Sequence, residues 1–118
     1  MGERVYLTIP AKPRYLSLAR LNVSGICMEE DVDLDTLGDL RLLLTESCNL
    51  SFAIGMSDTI DIVMEPEEGA IRFKVSGITE EKVAADEHLA ITAMIIESLA
   101  DEFSYDDGQL VVYKTFGA

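Results

Sequence analysis

The sequence predicts an α+β fold, a two-layer sandwich with helices on one face of a mostly antiparallel, mixed sheet. Apolar periodicity orders the elements as strand, helix, helix, two strands, helix, two strands, and that grouping favours helices layered on a sheet. Two stretches alternate apolar and polar residues around turn residues, which marks them as hairpins. The chain has 118 residues, room for one domain, with no repeat and no Pro/Gly-rich linker. Residues 1–118 are therefore expected to form a single domain.

Residues 4–9 are β-rich and Pro10 closes the strand. Pro13 suits the first turn of a helix whose apolar positions include Tyr15, Leu18, Leu21 and Ile26, ending near residues 25–28 before the acidic run of Glu29, Glu30 and Asp31. Asp33 or Asp35 is placed to cap the next helix, which runs through Ala53 and stops at Gly55. Leu37, Leu40, Leu43, Leu44 and Ile54 give it a wide apolar stripe toward the core. A strand over 59–65 turns through 66–69 into a second over 70–75, with Ile71, Phe73 and Val75 alternating against Arg72 and Lys74. Residues 77–86 read as a loop that tolerates a helical turn over 80–85. Residues 86–102 read as a helix, with Leu89, Ala93, Ile96 and Ala100 on one face. A second hairpin joins residues 103–105 to 109–116 through Asp106, Asp107 and Gly108, where glycine supplies the positive φ of the turn.

Charge and composition restrict what such a domain does. With 48% hydrophobic residues the chain lies far from the regime of a disordered acidic tail. It carries 9 Lys+Arg against 22 Asp+Glu, a net −13, and lacks the basic stripe that phosphate-backbone contacts need, which disfavours direct nucleic-acid binding. No apolar run is long enough to span a membrane or to act as a signal peptide. Cys27 and Cys48 fall in helices without a CxxC spacing, so buried thiols in a reducing, cytoplasmic setting are expected. The charge is uneven: residues 1–20 hold four bases against one acid, whereas residues 61–118 hold four against 13. A basic edge on an acidic body can steer a protein partner.

On the second helix Glu46 and Asn49 lie three residues apart and project as neighbours, on the flank away from the Leu37, Leu40, Leu44 stripe. A carboxylate beside an amide can orient a metal-bound ligand or a water, with the carboxylate as base. Alone, such a pair is a weak signal, since most such pairs are simply a solvated helix face. Its context is the run from Ile9 through Pro10, Lys12, Pro13, Arg14 and Tyr15 to Arg20, and then Leu40, Arg41, Leu42, Leu43, Leu44, Thr45, Glu46, Ser47, Cys48, Asn49. Together with the stretch from Ile95 to Phe103 and a final strand, this resembles the anti-sigma-factor serine kinases of the GHKL (histidine-kinase-like) ATPase superfamily. The resemblance spans almost the whole chain. It implies ATP and Mg²⁺ as cofactors, with Asn49 helping to hold the cation and phosphates and Glu46 acting as base toward the attacking hydroxyl. It also implies a sigma factor and an anti-anti-sigma protein as alternating partners, phosphorylation of a serine on the latter, and a homodimer.

The sequence departs from that family where nucleotide would sit. After the second hairpin strand the family has an Asp-x-Gly-x-Gly motif whose aspartate reads adenine; here Ser76, Gly77, Ile78 and Thr79 supply one glycine and no aspartate. At the start of the last long helix Ala90 and Thr92 stand in for lid glycines, and Glu87 brings negative charge toward phosphate. Ala53 replaces the polar neighbours common beyond the asparagine. A charge-assisted hydrogen bond is worth about 1.5–3 kcal/mol, so these losses together remove several powers of ten in affinity. The expectation is an anti-sigma-like regulatory protein that works by binding partners, with ATP binding weakened or lost. The alternative is an active ATP-dependent protein-serine kinase, and a third is an unrelated α+β domain with an accidental Glu/Asn pair. The only histidine, His88, reads as an exposed first-turn residue, and Met28, Met56, Met64 and Met94 read as core filler.

Overall fold

The computed structural model describes residues 3–116. In chain order they form β1 (Val5–Pro10), a 3₁₀ turn (Pro13–Tyr15), α1 (Leu16–Cys27), α2 (Leu34–Ile54), β2 (Thr59–Glu67), β3 (Ala70–Ser76), α3 (Glu80–Ala84), α4 (Glu87–Leu99), β4 (Glu102–Asp106) and β5 (Gln109–Thr115). The strands make one sheet in the order β1-β2-β3-β5-β4. All four pairings are antiparallel, so among the described residues the expected mixed component is absent and the α+β, two-layer class stands.

Register follows from the period of two. Ile62 faces Val75, Met64 faces Phe73, Phe73 faces Val112 and Val75 faces Leu110, so one sheet face is continuously apolar. That face meets the helices, among which α2 packs against both α1 and α4. Leu40, Leu43 and Leu44 of α2, Ile96 of α4 and Ile62, Phe73 and Leu110 of the sheet share one buried core. No helix is long and apolar enough to cross a membrane among the described residues.

The α2 boundaries are set locally. The Asp33 side chain accepts from the Thr36 N–H at 2.7 Å, and the helix ends at Gly55. Pro66 lies inside β2 rather than in the turn, which is only Glu68–Gly69. It is tolerated there because β1 pairs with β2 only as far as Met64. At the second hairpin Asp107 and Gly108 both have positive φ, 51° and 76°, as a two-residue turn matched to the strand twist requires.

The inward face of α1 differs from the one its large apolar residues suggested. Leu16, Ala19, Val23 and Cys27 are buried, while Leu18 and Leu21 are exposed. Small residues such as Ala19 and Cys27 permit close helix approach, which outweighs the bulk of Leu18 and Leu21 in choosing the face. Of the methionines among the described residues, Met64 is core, while Met28, Met56 and Met94 are exposed.

The outer sheet face is polar. Glu65 is approached by Arg4 Nε at 3.0 Å, Lys74 Nζ at 3.4 Å and Arg72 at 3.9 Å. The Arg72 guanidinium also lies over the Tyr113 ring, 4.8 Å from its centroid. Part of the N-terminal positive charge is thus spent within the sheet.

Candidate functional site

The fourth and fifth turns of α2 carry both site residues expected from the sequence. Asn49 Nδ2 donates to Glu46 Oε1 at 3.0 Å, and both side chains are half-buried. The helix brings them together by itself, since residues three apart are neighbours on its surface. Thr45, about 100° around the helix from Glu46, faces α1 and accepts a hydrogen bond from Arg20 at 3.3 Å. The internal bond satisfies one Asn49 donor and leaves its Oδ1 as an available acceptor.

One turn further on, α2 is fastened to the end of β3. Ser51 is buried and its Oγ donates to the Ser76 carbonyl at 2.7 Å. The next residue, Gly77, has φ of 76°, and a Cβ there would stand 2.9 Å from Ser51 Oγ. The one glycine of the Ser76–Thr79 stretch is therefore required by close packing of helix against strand end. Ser76 Oγ accepts from the Asp61 N–H at 2.8 Å, which ties the same corner to β2.

The expected loop at 77–86 contains the short helix α3, capped by Thr79, whose side chain accepts from the Lys82 N–H at 3.3 Å. Asp86 then caps α4. Its Oδ1 accepts from the His88 N–H at 2.9 Å and from the Leu89 N–H at 3.2 Å. These are N–H groups that a phosphate at this helix end would use. An incoming phosphate would have to displace the Asp86 carboxylate and would meet the Glu87 charge beside it. An open depression of about 320 Å³ lies where α2, α3 and α4 converge, lined by Ile54, Lys82, Ala85, Asp86 and Leu89; Glu46 and Asn49 do not line it. The Glu46–Asn49 pair thus keeps an acceptor, whereas the first N–H groups of α4 are already bonded to the chain's own carboxylate.

The sequence puts residue 86 at the join of the 77–86 loop and the following helix without giving it a role. The signal for its role was present, an aspartate directly before an apolar-periodic helix. Ser51 carried no signal, because its partner carbonyl is 25 residues away in sequence. His88 is exposed in the first turn of α4, as expected.

The two cysteines are free and buried. Burial pushes the Cys48 thiol from its ordinary 9.0 up to about 12, opposed only weakly by Arg20. Folding therefore favours the protonated thiol, and that contribution to stability is present below pH 9.0 and lost as pH rises toward about 12. Native protein at pH 8 is expected to leave Cys48 unlabelled by a thiol reagent that reacts fully in urea; rapid labelling of the native state would contradict the burial.

No family model matches the sequence. The anti-sigma-F factor RsbW of Mycobacterium tuberculosis is 28% identical over 112 residues, covering 89% of this chain and 63% of that protein. The serine-protein kinase RsbW of Bacillus velezensis is 24% identical over 107 residues, covering 91% of this chain and 56% of the relative. The chain is thus similar to RsbW proteins over most of its length. A crystal structure of the RsbU and RsbW domains of Rv1364c from Mycobacterium tuberculosis superposes with a TM-score of 0.66 at 16% identity, over 96% of this chain and 31% of that one, and shares the fold. A shorter match, to the serine-protein kinase RsbW of Listeria monocytogenes, is 36% identical over 47 residues, 40% of this chain. This RsbW-like chain spans between 30% and 63% of the length of these curated relatives.

Proposed function

We propose that this RsbW-like chain is an anti-sigma-type regulatory domain that acts by holding a protein partner, a sigma factor or an anti-anti-sigma protein, with its affinity for ATP weakened or lost. The observation that carries the reading is the Asp86 carboxylate, seated on the α4 N–H groups where a phosphate would otherwise bind. The missing adenine-reading aspartate and lid glycines act in the same direction. Residues 1–118 are read as one histidine-kinase-like domain working in the cytoplasm. A homodimer through β1 accords with that strand's place at the edge of the sheet, where a backbone edge is open to pairing.

The second reading is an active ATP-dependent serine kinase. It is favoured by the intact Glu46–Asn49 pair, in which Asn49 would hold Mg²⁺ and Glu46 would serve as base. Calorimetric titration with ATP and Mg²⁺ separates the two. The expected result is no resolvable binding below about 1 mM, a free energy weaker than about −4 kcal/mol. Micromolar affinity abolished by Asn49→Ala, with transfer of labelled phosphate to an anti-anti-sigma protein, would establish the kinase instead.

A further inference from the structure

The outward side of α4 is apolar although the core takes none of it. Ile91, Met94 and Ile95 are 51%, 66% and 40% exposed. Their spacing of three and four residues puts them in one stripe opposite the buried Ala93 and Ile96. Glu87, exposed, continues the same stripe one turn before Ile91, and exposed Glu97 borders it near the other end. The surrounding charge is predominantly acidic: seven acids and no lysine or arginine lie between Lys82 and Lys114, and Lys114 Nζ is held on the Leu99 carbonyl at the end of α4 at 2.8 Å. Helix α3 packs against α4 and adds Glu80 and Glu81. The Tyr105 hydroxyl is held above its ordinary range first by burial and then by Glu80 and Glu97, which gathers both carboxylates around one corner of α4.

We propose that the Ile91, Met94, Ile95 stripe of α4 is a docking surface for a cationic amphipathic helix of a protein partner, whose apolar side covers the stripe and whose Lys/Arg residues meet Glu87 and Glu97. The acidic rim selects the occupant. A second copy of the chain would bring the same acidic rim against itself, and an anionic lipid surface would be repelled. A basic helix answers both features, as helix-in-groove recognition does with anchors spaced three and four residues apart. The inference goes beyond the proposed function and stands whether or not the partner is a sigma factor.

The probe is a designed Leu/Lys peptide with its leucines on one helical face, compared with a scrambled peptide of the same composition. The amphipathic peptide is expected to bind at least about tenfold more tightly than the scrambled one. Its amide shift changes should cluster on residues 87–99. The charge-conserving double variant Ile91→Ser, Met94→Ser should lose at least about tenfold in affinity. Both positions are exposed, so it should keep the wild-type circular dichroism; Glu87→Gln with Glu97→Gln should flatten the salt dependence in an independent background. Equal binding of the two peptides, or an unaffected double variant, would reduce the effect to bulk charge and overturn the proposal. So would sedimentation showing that the double variant turns a wild-type dimer into a monomer, which would make the stripe a self-interface.

Discussion

Truncating Phe73 to alanine is expected to cost about 3–5 kcal/mol, the usual range for removing a buried aromatic from a packed core. Phe73 is 1% exposed on β3, the middle strand, between Met64 of β2 and Val112 of β5. Its ring therefore occupies the centre of the interlayer space, where strands paired on both sides prevent collapse around a cavity. Domains of this size have about 5–15 kcal/mol of net stability in all, so Phe73→Ala should leave a fold near its limit. Urea unfolding monitored by far-ultraviolet circular dichroism would show the midpoint falling steeply. A loss under about 1 kcal/mol would mean that the core can repack and that this account of it is wrong.

Gly77→Ala is expected to cost about 2–3 kcal/mol by a different route. A side chain at φ of 76° carries about 1–2 kcal/mol of backbone strain. The new Cβ would also stand 2.9 Å from Ser51 Oγ and must push that hydroxyl off the Ser76 carbonyl. Losing that part-buried hydrogen bond adds about 1 kcal/mol. The two parts separate in a double-mutant cycle. In a Ser51→Ala background the steric part is gone, so Gly77→Ala should cost only its backbone share. Additive effects would show that helix and strand end are not coupled at this corner.

Most of the fold was readable residue by residue because its signals are local. Asp33 before an apolar-periodic run announced the start of α2, and Gly55 its end. Ile71, Phe73 and Val75 alternating with Arg72 and Lys74 announced β3 and its inward face. Glu46 and Asn49 were legible as neighbours for the same reason, since one helix suffices to bring them to 3.0 Å. The signals failed where a choice depended on distant parts of the chain. Leu18 and Leu21 have the bulk of core residues, yet α1 turns Ala19 and Val23 inward. Met94 sits in a helix rich in apolar residues, yet the core is already filled by Ile96 and Ala93 from the opposite side.

The α+β class, the order of the long helices and strands, the sheet faces and the Glu46–Asn49 pair are all written locally, because each rests on periods of 2 and 3.6 residues and on caps in the adjacent chain. Tertiary structure decided the sheet order β1-β2-β3-β5-β4, the face of α1 that is buried, the fastening of Ser51 to the Ser76 carbonyl beside Gly77, and the apolar stripe left outward on α4. Those outcomes turn on which of several similar apolar surfaces can be packed at once against a single sheet face. Only the assembled core, with its fixed volume and its demand that buried polar groups find partners, makes that selection.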